Sequence, residues 1–217
     1  MMKYIDIHTH QHYGDDTVYI YNVMPGEAAA LPARYSLGIH PWYAAEPQRQ
    51  LAQLQALLET LPDTLFIGEC GLDKICATPW EDQLVVFSEQ LKLAAYFRKP
   101  VIIHCVRAYQ ECLQLLKDCK VPVIFHGFNK HPELAAQIVR HGHYLSIGPA
   151  ILQHSDRYSE ILQAVPPEHI FLETDRYAVP VEVVYRTAAS ILKIETDDVI
   201  LQIQKNYSKI INVSWKI

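Results

Sequence analysis

Short apolar runs alternate with amphipathic stretches along nearly the whole chain. Eight runs read as strands: 3–8 (KYIDIH), 17–23 (TVYIYNV), 35–39 (YSLGI), 65–69 (LFIGE), 101–104 (VIIH), 122–126 (PVIFH), 143–147 (HYLSI) and 169–174 (HIFLET). Most are β-branched or aromatic and almost continuously apolar. Strands buried on both faces have this character, and such strands are usually parallel. Between them, Leu51, Leu54, Leu58 and Leu61 recur at helical spacing behind Pro47, predicting a helix over 47–61. Thr78-Pro79-Trp80-Glu81 has the form of a capping box, followed by an apolar face of Leu84, Phe87, Leu91 and Ala94 or Ala95. Pro132 opens a further helix carrying Leu134, Ala135 and Ile138, and Ser155 is the expected cap of the helix holding Ile161 and Leu162. Residues 181–193 and 197–205 read as two more, the second capped by Thr196.

Strands alternating with helices in this way predict an α/β fold, a compact (β/α)8 TIM-type barrel. At 217 residues the chain is short for it. The economy falls between the second and third strands, where PGEAAALPAR (25–34) leaves room for one or two helical turns. An open doubly wound sheet is the rival, disfavoured by the strand count. No linker, repeat or low-complexity tract interrupts the chain, so one domain over 1–217 is expected.

Composition adds exclusions. Half the residues are hydrophobic and a fifth charged, enough for a substantial core without a structural metal. The net charge of −5, with 19 basic and 24 acidic residues and no long basic run, argues against a general polyanion binder. Five cysteines, none in a Cys-x-x-Cys pair, read as reduced thiols, with Cys112 and Cys119 packing on one helix face. The start, Met1 to Asp6, has no apolar signal core, and no apolar run reaches the ~20 residues of a membrane span. A cytoplasmic protein with no membrane association and no evident obligatory protein partner is expected.

The chemistry lies where strands end. In Asp6-Ile7-His8-Thr9-His10, residues two apart face the same way, so His8 and His10 enter one space. Later strands end in Glu69, His104, His126 and, beyond Glu173-Thr174, Asp175. Barrel active sites form at that end of the strands. Four imidazoles and two carboxylates exceed the three protein ligands of a typical catalytic zinc, which points to two divalent ions, with Glu69 central enough to bridge them. Two such ions stabilise the attacking and leaving oxygens of a hydrolytic displacement. Mixed His and carboxylate ligands suit Zn²⁺ or Mn²⁺, and Mg²⁺ less comfortably.

The segments DIHTH, GIHPW, IGECGLD, PVIIHC, FHGF, YLSIGP and FLETD, in order from about residue 4 to 213, resemble the TatD-like metal-dependent deoxyribonucleases of the amidohydrolase superfamily. The resemblance implies that His8, His10 and Asp175 serve one ion, His104 and His126 a second, and that Glu69 is shared. It implies that Asp175 orients or deprotonates the attacking water. The implied activity is metal-dependent hydrolysis of DNA phosphodiesters, often from a 3′ end, with DNA as substrate and Mg²⁺ or a similar ion as cofactor.

Substrate contacts are more open. His40, in Gly38-Ile39-His40-Pro41-Trp42, is either a rim residue or a packing histidine held by the Pro-Trp turn. Lys130, Arg176, Arg107 and Lys74 follow ligand-bearing strands and are candidate phosphate contacts. His12, His131, His141, His143, His154 and His169 read as surface or structural residues. The chain departs from the family in Cys105-Val106-Arg107, in Lys74-Ile75 and in Asp175-Arg176-Tyr177, and it lacks the basic loop that normally follows. These changes spare the ligands and remodel the rim. Two rival readings follow, a small-molecule hydrolase acting on a lactone, cyclic amide or phosphoester, and a barrel whose site is vestigial.

Overall fold

The computed structural model describes residues 3–14, 17–27 and 31–211. In chain order the strands are β1 (Tyr4–Thr9), β2 (Thr17–Val23), β3 (Tyr35–Leu37), β4 (Phe66–Asp73), β5 (Val101–Val106), β6 (Val123–Phe125), β7 (Tyr144–Ile147) and β8 (Ile170–Leu172). The helices are α1 (Pro47–Thr60), α2 (Trp80–Phe97), α3 (Tyr109–Leu115), α4 (Pro132–Arg140), α5 (Ser155–Ala164), α6 (Val181–Leu192) and α7 (Thr196–Ile211). Strand order in the sheet follows the sequence from β1 to β8, the order of a (β/α)8 barrel. The chain divides into two compact units, Tyr21–Ile124 and Met1–Ile20 with Phe125–Ile217.

In the unit Tyr21–Ile124, β2, β3, β4 and β5 pair in parallel, for example Val23 with Leu37, Leu37 with Ile67, and Gly71 with His104. Every residue of β4 is buried. Helix α2 covers it with Val86, Phe87, Leu91 and Ala94. Two glutamines on that face do the polar work. Gln83 accepts from the Asp73 amide (2.8 Å) and donates to the Asp73 carbonyl (3.1 Å). Gln90 does the same for Ile39, at 2.7 and 3.1 Å. Each satisfies both the amide and the carbonyl of a buried residue. Together they fix the backbone beside His40 and the end of β4.

In the other unit, β7 pairs in parallel with β8, and β1 meets the segment after β8 through the bridge Thr9–Asp175. Helices α6 and α7 bury Val184, Tyr185, Ala188, Val199 and Ile203. The Tyr185 hydroxyl donates to the Ile5 carbonyl at 2.8 Å, anchoring β1 from beneath.

Several boundaries differ from the sequence reading. β4 runs four residues past Glu69 and β5 two past His104, because Cys70 to Asp73 keep pairing with Ile103 to Val106. Glu69 and His104 therefore lie inside strands. Thr78 makes no capping box: Pro79 precedes the first turn of α2, and the Thr78 hydroxyl donates to the Trp42 carbonyl instead. Ser155 is the first residue of α5 rather than its cap, a position His154 takes. Helix α7 extends to Ile211, with Ile210 buried in its last turn. Cys112 is buried in α3, whereas Cys119 lies past the helix end and faces the Val121 carbonyl. In the short connection 25–34 a single turn forms at Pro25–Glu27; residues 28–30 of it, the Met1-Met2 start and everything after Ile211 lie outside the described residues.

His143, just before β7, is buried, and burial pushes its pKa down to about 4, with His141 and His169 adding repulsion. A neutral folded imidazole leaves the unfolded chain binding the extra proton. Stability is then whole above about pH 6.5 and falls as the pH drops towards 4, by about 3 kcal/mol at most. Urea titrations of wild type and His143→Leu across that range check this: the acid-side slope is expected to flatten in the variant.

Candidate metal centre

In the unit holding both chain ends, β1 and the end of β8 are sewn together. The Asp175 amide donates to the His8 carbonyl and the His10 amide to the Asp175 carbonyl, both at 3.0 Å. Thr174 donates through its amide (3.0 Å) and hydroxyl (2.6 Å) to the buried Asp6 carboxylate. With its proton spent there, the Thr174 oxygen accepts from Tyr13 (2.7 Å) and lies 3.0 Å from the Thr9 hydroxyl. Burial pushes the Asp6 carboxyl up to about 7, against the Thr174 hydrogen bonds. The left-handed Asp175 (φ 52°) turns its side chain back onto β1.

The result is a cluster. Asp175 Oδ1 lies 3.7 Å from His8 Nε2 and 3.6 Å from His10 Nε2, and the three ligand atoms all fall within 4.8 Å of one another. His126, directly after β6, has its ring centroid 4.4 Å from that of His8. Its Nδ1 faces the buried Glu173 Oε1 at 3.3 Å, and that oxygen also accepts from the Gly127 amide at 2.8 Å. A carboxylate on one ring nitrogen fixes the imidazole and leaves the other to a cation.

In the unit Tyr21–Ile124, Glu69 is buried with its amide donating to Asn22 Oδ1 at 2.8 Å. Glu69 Oε1 lies 3.0 Å from His40 Nε2 and 3.0 Å from His104 Nδ1. The other nitrogen of His104 faces Asp73 Oδ2 at 3.0 Å. Burial raises the Asp73 carboxyl, but bonds from Trp42, the Ile75 amide and His104 outweigh it and hold it below the usual range. His40 Nδ1 accepts from the Trp42 amide at 3.1 Å, so a neutral His40 carries its proton on Nε2 and donates it to Glu69. This is a second group whose ligand atoms lie within 4.8 Å.

The donor chemistry fits divalent cations: each cluster combines imidazole with carboxylate, and the outer carboxylates Asp73 and Glu173 hold rings in place. His40, left open between rim and packing roles, stands in the cluster with Glu69 and His104. Sequence reading missed Asp6, Asp73 and Glu173 as supporting groups. The signal was present, since Asp6 shares the alternate-residue face of His8 and His10, and Glu69 and Asp73 share one on β4.

The basic candidates scatter. Lys74 is engaged in an ion pair with Glu111 and lies over the Trp80 ring. Arg107 and Arg176 are exposed in loops after β5 and β8. Lys130 lines a cleft with Asn129 and Arg157 after β6. The remaining histidines are surface or structural residues: His131 caps α4 through the Leu134 amide, His141 and His169 face carbonyls at 2.8 Å, exposed His12 stands against the Tyr19 ring, and His154 is exposed before α5. Among the described residues no helix is long and apolar enough to cross a membrane.

Comparison with known proteins accords with this architecture. The crystal structure of YJJV, a TatD homolog from Escherichia coli K12, matches with a TM-score of 0.82 at 22% identity, covering 98% of this chain and 99% of that one. The 3′-5′ RNA nuclease TATDN2 of Homo sapiens is 33% identical over 152 residues, 64% of this chain and 19% of that protein. The 3′-5′ ssDNA/RNA exonuclease TatD of Escherichia coli K12 is 31% identical over 161 residues, 69% of this chain and 62% of the relative. The matched region thus spans less than two thirds of these curated relatives. The family model described as TatD related DNase matches residues 26–212, well over half the sequence, and the chain belongs to that family.

Proposed function

We propose that this chain is a divalent-metal-dependent nuclease that hydrolyses phosphodiester bonds of single-stranded DNA from the 3′ end, and of RNA as well. One observation carries the reading: His8, His10 and Asp175 bring three ligand atoms within 4.8 Å of one another at the ends of β1 and β8. The names of the relatives, a 3′-5′ RNA nuclease and a 3′-5′ ssDNA/RNA exonuclease, support the substrate class and widen it beyond DNA. They favour nucleic acid over a small lactone or cyclic amide.

In this reading His8, His10 and Asp175 hold one ion. Glu69 and His104 would serve a second, to which the family resemblance also assigns His126. When bound, the cations supply Lewis acidity and lower the pKa of water. Asp175 orients the attacking water and accepts its proton. Glu69 and Asp175 are the groups on which hydrolysis depends most. His40 holds Glu69 Oε1 through its Nε2 proton, a positioning role. Lys130 and the exposed Arg176 and Arg107 meet phosphates, while Lys74 must leave Glu111 to do so. Mn²⁺ or Zn²⁺ fits the donor set better than Mg²⁺. The whole acts as one domain over 1–217, in the cytoplasm, a location supported by five cysteines that all remain free.

Chelator-stripped protein and end-labelled single-stranded DNA and RNA test the proposal. Adding Mn²⁺, Zn²⁺ or Mg²⁺ is expected to restore stepwise shortening from the 3′ end. No shortening with any of them defeats the reading. Asp73→Asn, which leaves His104 less well held, is expected to raise the metal concentration for half-maximal activity by about 10–100-fold.

A further inference from the structure

Two large rings stand in the open beside the Glu69 cluster. Trp42 and Tyr43, in the turn that His40 begins, are each 46% exposed, although each carries a large apolar surface. Trp42 is fixed in place. Its indole Nε1 donates to Asp73 Oδ2 at 2.7 Å, the oxygen that also faces His104, and its ring centroid lies 4.9 Å from that of His40. Its carbonyl accepts from Thr78 at 2.9 Å. Tyr43 lies 6.0 Å from His40 on ring centroids, and its carbonyl accepts from Gln50 at 2.7 Å. Beyond Tyr43 opens a cleft of about 500 Å³, bounded by Met24, His40, Arg49, Gln50 and Gln53.

We infer that Trp42 and Tyr43 form a stacking platform for unpaired nucleobases, the cleft beside Tyr43 receiving one base while the backbone passes His40. The inference rests on the nuclease reading and names how its substrate is held. Exposed rings suit this role because every base has a π-face, and ordering Trp42 costs little because its bond to Asp73 already fixes its ring. A base stacked within a duplex cannot offer that face. The platform therefore selects single strands with little regard to sequence, and supplies grip that the acidic net charge of −5 does not. The Trp42–Asp73–His104 chain ties the platform to the candidate ligands.

Binding measured in chelator, without metal, isolates this claim from catalysis. The probes are a short oligothymidylate, an abasic strand of equal length and a duplex, followed by anisotropy and by tryptophan emission. Wild type is expected to bind the oligothymidylate about tenfold more tightly than the abasic strand, with quenched emission. Trp42→Leu is expected to remove the quench and most of that preference while binding the abasic strand as before. Trp42→Phe retains the preference, and Tyr43→Ala loses part of it. Equal affinity of wild type for all three probes overturns the inference. So does a loss in Trp42→Phe as large as in Trp42→Leu, since the phenyl ring keeps a π-face, a smaller one than the indole's, and lacks the bond to Asp73. Failure of the nuclease reading shows separately, as intact strands once metal is added.

Discussion

Glu69→Gln is expected to lower kcat/KM on single-stranded DNA by on the order of a thousandfold with its melting temperature little changed. The replacement is isosteric, so the packing around β4 survives. What goes is the charge on Oε1, which both His40 Nε2 and His104 Nδ1 face at 3.0 Å. An amide offers at most one oxygen to those rings and binds a divalent ion far more weakly than a carboxylate. The Asn22 bond to the residue 69 amide is made by backbone and remains. Asp175→Asn is expected to behave alike, for the same reason in the other cluster. Single-turnover cleavage in excess Mn²⁺, beside circular-dichroism melts, reads both effects. Activity within tenfold of wild type in Glu69→Gln removes that residue from the metal site.

Gly71→Ala should act on the fold instead, costing about 3–5 kcal/mol and carrying activity away with it. Gly71 has φ +141°, a conformation that side-chain-bearing residues rarely adopt. A Cβ there would also stand 2.0 Å from the His104 carbonyl oxygen. That oxygen belongs to the next strand, so relief requires β5 to move, and His104 moves with it. Urea denaturation measures the loss. Gly26→Ala, where an added Cβ meets nothing within 4 Å, is the control and is expected to stay within about 0.5 kcal/mol of wild type.

Much of the site was legible because strand geometry is local. The period of two puts His8 and His10 on one face of β1, and apolar runs announce where histidines and acids emerge. What the pattern could not give was how far a strand continues. The apolar run was read as ending at Glu69, yet Cys70 to Asp73 stay in the sheet because β5 pairs with them, a contact between residues far apart in sequence. The same limit hid Glu173, whose role arises from His126, a histidine far away in sequence. It also hid Gln83 and Gln90, which look like ordinary helix residues until the peptides they satisfy are known. Thr78 shows the reverse error: a local capping signal lost to a tertiary partner, the Trp42 carbonyl. The order of motifs carried the fold where single windows could not.

The account stands on paired His and carboxylate clusters that take up divalent cations. Crystals soaked in Mn²⁺ and measured for anomalous scattering address it directly. Density among His8, His10 and Asp175, with further density against Glu69 and His104, is the result expected. Clean maps at both clusters from protein that cleaves single-stranded DNA in the same Mn²⁺ buffer would contradict it.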